Sequence, residues 1–216
     1  MDTLLYFLYT IIYLILLICV VRSPFSQNNW SLRSFIYLVL LGLVIDNSII
    51  AVGRFIGEGM FLEYLNLSRY WIHALITPTL VLFSFGILKP FNLRIFQHKA
   101  AFMVTLLFTM LLIIFELFTE TIPLHLKPLW EYDVLRYVPI ESESGPPFMI
   151  LFVTLCLLIV GIILSVRINW IWMLMGALLI TLASVIPIPL NSSAITNGFE
   201  LFLMLTLVLT KQRVDR

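Results

Sequence analysis

The sequence predicts an all-α, polytopic membrane protein: a bundle of seven transmembrane helices with the N-terminus extracytoplasmic and the C-terminus cytoplasmic. Three observations lead there. The first is composition: 61% of the 216 residues are hydrophobic and 12% charged, with a mean hydropathy of +1.06, against roughly 45–50% apolar and about 25% charged in soluble domains. The second is length: seven apolar stretches approach the roughly 20 residues needed to cross a hydrocarbon core about 30 Å thick. The third is the sorting of charge. With the N-terminus outside, Arg22, Arg33, Lys89, Arg94, Lys99, Arg167, Lys211, Arg213 and Arg216 fall on the cytoplasmic side, and only Arg54, Arg69, Lys127 and Arg136 fall opposite. Short loops rich in Lys and Arg stay inside.

The expected spans are about 3–21, 34–56, 69–88, 99–119, 147–166, 168–189 and 193–210, forming one integral-membrane domain over residues 1–216. The first lacks the basic start and small-residue cleavage site of a signal peptide, so it reads as a helix that stays in the membrane. The second runs through Asp46-Asn47-Ser48 to Arg54 and Glu58, four residues apart and able to pair on one face. Gly53 and Gly57 on that span form a small-xxx-small pattern that admits a close helix neighbour. Ser68 is the expected N-cap of the third span, and Thr77-Pro78 its expected kink. The fourth ends beyond Glu116. Pro24, Pro146-Pro147, Pro187 and Pro189 punctuate the rest. One long connection, residues 120–146, lies outside; Pro128–Tyr137 reads as a short interfacial helix and Glu141–Pro147 as a flexible tail. Cys19 and Cys156, both in apolar segments, read as small buried hydrophobes.

Ionisable groups inside a bilayer are expensive, so each is a functional candidate. Asp46 falls near the middle of the second span, His73 one turn into the third, and Glu200 about seven residues into the last. These three are the candidate catalytic residues. Arg54, Glu58, Arg69 and Glu116 are the candidate substrate-binding residues, the arginines suiting an anionic headgroup. Together they predict an outward-opening polar pocket between spans two, three, four and seven. Carboxylates with a histidine suit acid–base catalysis or a hard or borderline metal, although the sequence specifies neither metal nor cofactor. Each residue also has a plainer reading. Asp46-Asn47-Ser48 suits hydrogen-bonding glue between helices, and Arg54, Glu58, Glu63 and Arg69 suit a solvated loop. His73 suits packing, and Glu116 suits snorkelling to the boundary. Glu200 has no neutralising partner within its own span.

Several chemistries are excluded. A retinal Schiff base needs a lysine well inside the last span, whereas Lys211 is at its end, and only His73 of the three histidines falls in a span. No GxSxG, HExxH or P-loop pattern occurs. The expected partners are the lipid bilayer and a lipid or amphiphile ligand, with no nucleic acid and the oligomeric state open; the expected location is a plasma or cytoplasmic membrane. Three functions fit: an enzyme acting on a lipid or amphiphile, a small proton-coupled transporter using Asp46 and Glu200, and a non-catalytic scaffold. The scarcity of polar residues in the cytoplasmic halves of the spans weighs against transport and favours the enzyme.

Overall fold

The computed structural model describes residues 1–22, 30–140, 148–185 and 192–216. Helix α1 (Asp2–Val21) is followed by a 3-10 turn at Leu32–Ser34 and α2 (Phe35–Ile56). Then come α3 (Met60–Ile76), a 3-10 turn at Thr77–Thr79, α4 (Leu80–Leu88), the one-turn α5 (Arg94–Gln97) and α6 (Lys99–Glu116), which ends in a π turn over Leu117–Thr121. A hairpin of β1 (Leu126–Glu131) and β2 (Val134–Pro139) precedes α7 (Phe148–Ile168), α8 (Trp172–Val185) and α9 (Ile195–Asp215).

Among the described residues, five helical stretches are long and apolar enough to cross a membrane: Asp2–Val21, Leu32–Ile56, Met60–Phe91, Lys99–Thr121 and Phe148–Ile168. Helix α8 has 14 residues, fewer than the roughly 20 a crossing needs, and α9 carries Glu200, Lys211, Arg213 and Asp215. Five of the seven expected spans are therefore long and apolar enough to cross. The tail Glu141–Pro147 and prolines 24, 146, 147, 187 and 189 lie outside the described residues.

Helix α4 is the centre of the bundle. Every residue from Leu80 to Leu88 is buried, as befits a helix that is apolar all round. Around it Leu40, Leu157, Leu164, Leu207 and Val208 close one continuous core. Helix α1 lies at the periphery and buries Tyr6, Tyr13 and Val20, spaced by seven, along one stripe. Most of the rest of α1, Cys19 included, faces outward, so the expectation of a buried cysteine fails there. Close approaches at glycine tighten the far helices. A Cβ on Gly161 would lie 2.7 Å from the Leu174 backbone, and one on Gly176 would lie 2.2 Å from Thr206 Oγ1.

The fold is not purely helical. Residues 126–139, expected to hold an interfacial helix, form an antiparallel hairpin in register Trp130↔Leu135 and Glu131↔Val134. Its two-residue turn, Tyr132-Asp133, has positive φ at both positions (50° and 73°), as in the type I′ turns that match strand twist. Pro128, which cannot donate a ladder hydrogen bond, sits on this two-stranded edge, where such a loss is tolerated. The hairpin lies across the junction of α2 and α3. Gly53 is the reason it fits, since a Cβ there would sit 2.1 Å from the Leu135 carbonyl oxygen. The glycine thus admits a strand and not the expected helix. Gly57, at φ +82°, terminates α2, and a Cβ there would meet nothing.

Helix α3 begins at Met60, well before the expected Ser68 cap. Ser68 instead donates from mid-helix to the Leu65 carbonyl at 2.7 Å. The short glycine turn between α2 and α3 makes a tight pair and turns Glu63, Asn66 and Arg69 from loop residues into helix residues. The Thr77-Pro78 expectation holds in altered form: the α-helix becomes a 3-10 turn, and Thr79 donates to the Ile76 carbonyl at 2.6 Å.

The two ends of the bundle are tied differently. At the hairpin end, Asp2 Oδ2 accepts from the Ser193 and Ala194 amides (2.7 and 3.2 Å) and from the Ser192 and Ser193 hydroxyls (3.0 and 3.2 Å). Helix α9 has no side-chain cap of its own, and a carboxylate at a helix start satisfies its unpaired amides and favours its dipole. At the opposite end, Asp215 bridges Arg33 and Lys211, both at 2.5 Å. The Lys211 ammonium also lies 5.3 Å from the Tyr37 ring centroid.

Gly53→Ala is expected to cost about 1–3 kcal/mol, the usual range for overpacking, and Gly57→Ala less, since only backbone strain acts there. Thermal unfolding in detergent checks this. An unchanged midpoint for Gly53→Ala would mean that the hairpin does not rest on α2.

Candidate functional site

Two cavities meet inside the bundle. The upper one, about 790 Å³, is a polar vestibule at the hairpin end. Its walls come from α2, α3, the end of α6, the hairpin and the starts of α7 and α9, and they include Tyr70, Glu116, Glu120, His125 and Arg136. The lower one, about 250 Å³, is an apolar chamber lined by side chains such as Val39, Ile76, Leu80, Leu157, Ile180 and Met204. Leu43, Asp46, Arg69, His73, Ile150 and Glu200 line both. A girdle of ionisable groups therefore marks the boundary between polar and apolar space.

Each girdle residue is held by its helix. Asp46 lies midway along α2 and accepts from Arg69 Nε at 2.8 Å. Arg69 reaches it from α3 and also donates from Nη1 to Asn66 Oδ1 at 2.8 Å. Asn66 is itself fixed by its 2.8 Å bond to the Leu62 carbonyl, so a three-residue relay on α3 orients the guanidinium. His73, one turn after Arg69, places Nδ1 3.2 Å from Thr77 Oγ1, at the start of the 3-10 turn. Glu200 comes from α9. Among the described residues its carboxyl has no hydrogen bond and no ion pair, and its opening is into the two cavities. Two threonines of the chamber are satisfied locally: Thr154 donates to the Ile150 carbonyl within α7 at 2.8 Å, and Thr196 to the Ser193 carbonyl just before α9 at 3.2 Å.

The structure thus brings together four of the seven expected site residues at the girdle, Asp46, Arg69, His73 and Glu200, and sets Glu116 in the vestibule above them. It separates the other two. Arg54 pairs with Asp133 in the hairpin turn, and Glu58 accepts from Trp130 Nε1 at 2.8 Å. The expected Arg54–Glu58 pair does not form, because α2 ends at Gly57 before the second partner. Both side chains instead anchor the hairpin, and neither lines a cavity described above. The Asp46-Asn47-Ser48 run divides by face. Asn47 is fully buried and accepts from Asn197 Nδ2 at 3.2 Å, joining α2 to α9, while Ser48 bonds locally to the Ile45 carbonyl at 2.8 Å. Only Asp46 turns to the cavity.

Residues the sequence did not assign to the site include Asn66, Tyr70 and Thr77, the last expected only at a kink. Asn66 stands three positions before Arg69, the helical spacing at which side chains meet; that signal became visible only once α3 was known to begin at Met60. No group of three or more His, Cys, Asp or Glu with metal-holding geometry occurs among the described residues. Comparisons with protein-family models, with curated proteins and with solved structures find no match for this chain.

The Asp46–Arg69 pair is largely enclosed, with side-chain exposures of 24% and 13%. Removing either partner leaves the other uncompensated, expected to cost about 2 kcal/mol. The double replacement Asp46→Ala/Arg69→Ala is expected to cost less than the two single replacements together, with a coupling of about 1–2 kcal/mol. Chemical unfolding of the four proteins in one detergent measures it; strict additivity would show that the pair contributes nothing.

Proposed function

We propose that this chain is a membrane enzyme that binds a lipid or other amphiphile and performs proton-transfer chemistry on its headgroup. One observation carries the reading: the polar vestibule and the apolar chamber meet at Asp46, Arg69, His73 and Glu200. An amphiphile has the same division. Its chain suits the chamber, where burying each CH₂ is worth about 0.8 kcal/mol, and its head then rests among the acid–base groups. In this reading Glu200 and His73 exchange protons with the head, the imidazole oriented through Thr77. Asp46 holds Arg69 against the substrate. Glu116 contributes to substrate binding from the vestibule, and no metal or cofactor is invoked.

The proposal includes α8 and α9 as the sixth and seventh crossings. It also places the hairpin end outside, in a plasma or cytoplasmic membrane, as the distribution of Lys and Arg in short loops suggests. A transport path would have to pass the opposite end, where Lys211 is 3% exposed and tied to Asp215. That closure supports the enzyme over the carrier. A scaffold needs no cavity, and the joined cavities support a ligand site instead.

Purified protein in nanodiscs made from total membrane lipid of the expressing cells tests the reading, with mass spectrometry of the extracted lipids over time. Wild-type protein is expected to convert one lipid class. Glu200→Gln and His73→Ala are expected to slow the conversion about 100-fold or more, the usual weight of a general acid or base. Cys19→Ala, on the outward face of α1 and away from the cavities, keeps the wild-type rate. No lipid converted by wild-type protein, or turnover that survives Glu200→Gln, would refute the enzyme.

A further inference from the structure

We infer that the ligand of this site carries a cationic, ammonium-type headgroup, seated beside Glu200 with its chain in the apolar chamber. The inference rests on the amphiphile-binding reading above and adds the charge of the head. Both arginines that face the cavities are already engaged. Arg69 donates to Asp46 and Asn66, and Arg136 lies 3.7 Å from Glu131 in the hairpin. An anionic head would have to compete with these carboxylates. Glu200 stands in the opposite condition: a carboxyl enclosed by the bundle and lining both cavities, with no hydrogen bond or ion pair among the described residues. A carboxylate in low-dielectric surroundings needs a compensating charge or a proton, and a cation on the ligand supplies the former.

The route to Glu200 favours the same sign. The vestibule walls carry Glu116 and Glu120 in addition to Asp46 and Glu200, against the two engaged guanidiniums. Such an excess of one charge in a cleft focuses the field and draws in the opposite charge. Aromatic rings line the same passage: Tyr70, Phe115 and Phe148, the last two 6.0 Å apart edge to face. Ring faces attract organic cations, quaternary ammonium groups among them, and offer nothing comparable to a phosphate or sulfate. Charge and aromatic surface, two independent features, therefore select one headgroup class.

Three single-chain amphiphiles with the same twelve-carbon tail separate the possibilities: dodecyltrimethylammonium, dodecyl sulfate and dodecyl maltoside. Occupancy is read at the chamber itself, by the rate at which N-ethylmaleimide alkylates a Thr154→Cys probe in a Cys19→Ala/Cys156→Ala background in nanodiscs. The cation is expected to protect the probe at concentrations at least tenfold below those of the other two. Glu200→Gln is expected to remove that preference while protection by the maltoside persists. Equal protection by all three, or better protection by the sulfate, overturns the cationic head and leaves the amphiphile site standing. Protection by none, with the probe still reactive, overturns the amphiphile site itself. Should Glu200→Gln not fold, the ranking of the three ligands on the Glu200-containing protein decides alone.

Discussion

The ion pair between Asp46 and Arg69 is the interaction on which the interior of this bundle turns. Two opposite charges from adjacent antiparallel helices meet halfway along α2, where neither is tolerable alone. Their meeting fixes the rotation of α3 against α2, and that rotation carries His73 and Thr77 to the same wall. It also stops the apolar core from closing at this level. Below the pair the walls are aliphatic; above it they are polar. Hydrophobic residues at both positions would permit tighter packing, and buried pairs of this kind are weak evidence of stability. Their persistence in a bundle fits a site better than a strut.

The hairpin is the second determinant. It caps the α2–α3 junction through Leu135 against Gly53, Asp133 with Arg54, and Trp130 with Glu58. Tyr137 adds a hydroxyl that accepts from the Gly59 amide at 3.1 Å. These contacts hold Arg136 and Pro139 over the vestibule, so a segment with no ionisable group at the girdle still shapes access to it. The vestibule is consequently walled by two kinds of structure, helices below and a strand above, and each can be altered without the other.

Much of the helical frame was legible in the sequence because lipid imposes one rule, an apolar run of sufficient length with its backbone bonded internally. Asp46, His73, Arg69 and Glu200 stood out for the same reason, each being costly where it lies. The misreadings share a different cause. Residues 126–139 have no hairpin signature such as Asn-Gly; Tyr132-Asp133 adopts the turn under the pull of contacts from Gly53, Arg54 and Glu58, distant in sequence. Arg54 and Glu58 looked like a helical pair because nothing in their spacing reveals that Gly57 ends the helix between them. The start of α3 at Met60 is hidden in the sequence because Glu63, Asn66 and Arg69 make its first turns polar, and that polarity marks the wall of a cavity just as readily as a loop.

The capping of α9 by Asp2 bears on how the protein is made. Ala194, whose amide that carboxylate accepts, is separated from it by 192 positions. At about 5–20 residues per second, α1 waits on the order of 10–40 s after its own synthesis for the helix whose start it completes. Until then Asp2 has neither the amides nor the hydroxyls that solvate it in the finished bundle, and α9 emerges with its first turn uncapped. Helix α9 is thus seated by α1, made well before it. This long-range closure brings Glu200 into the cavity, so the site forms only when α9 docks against α1.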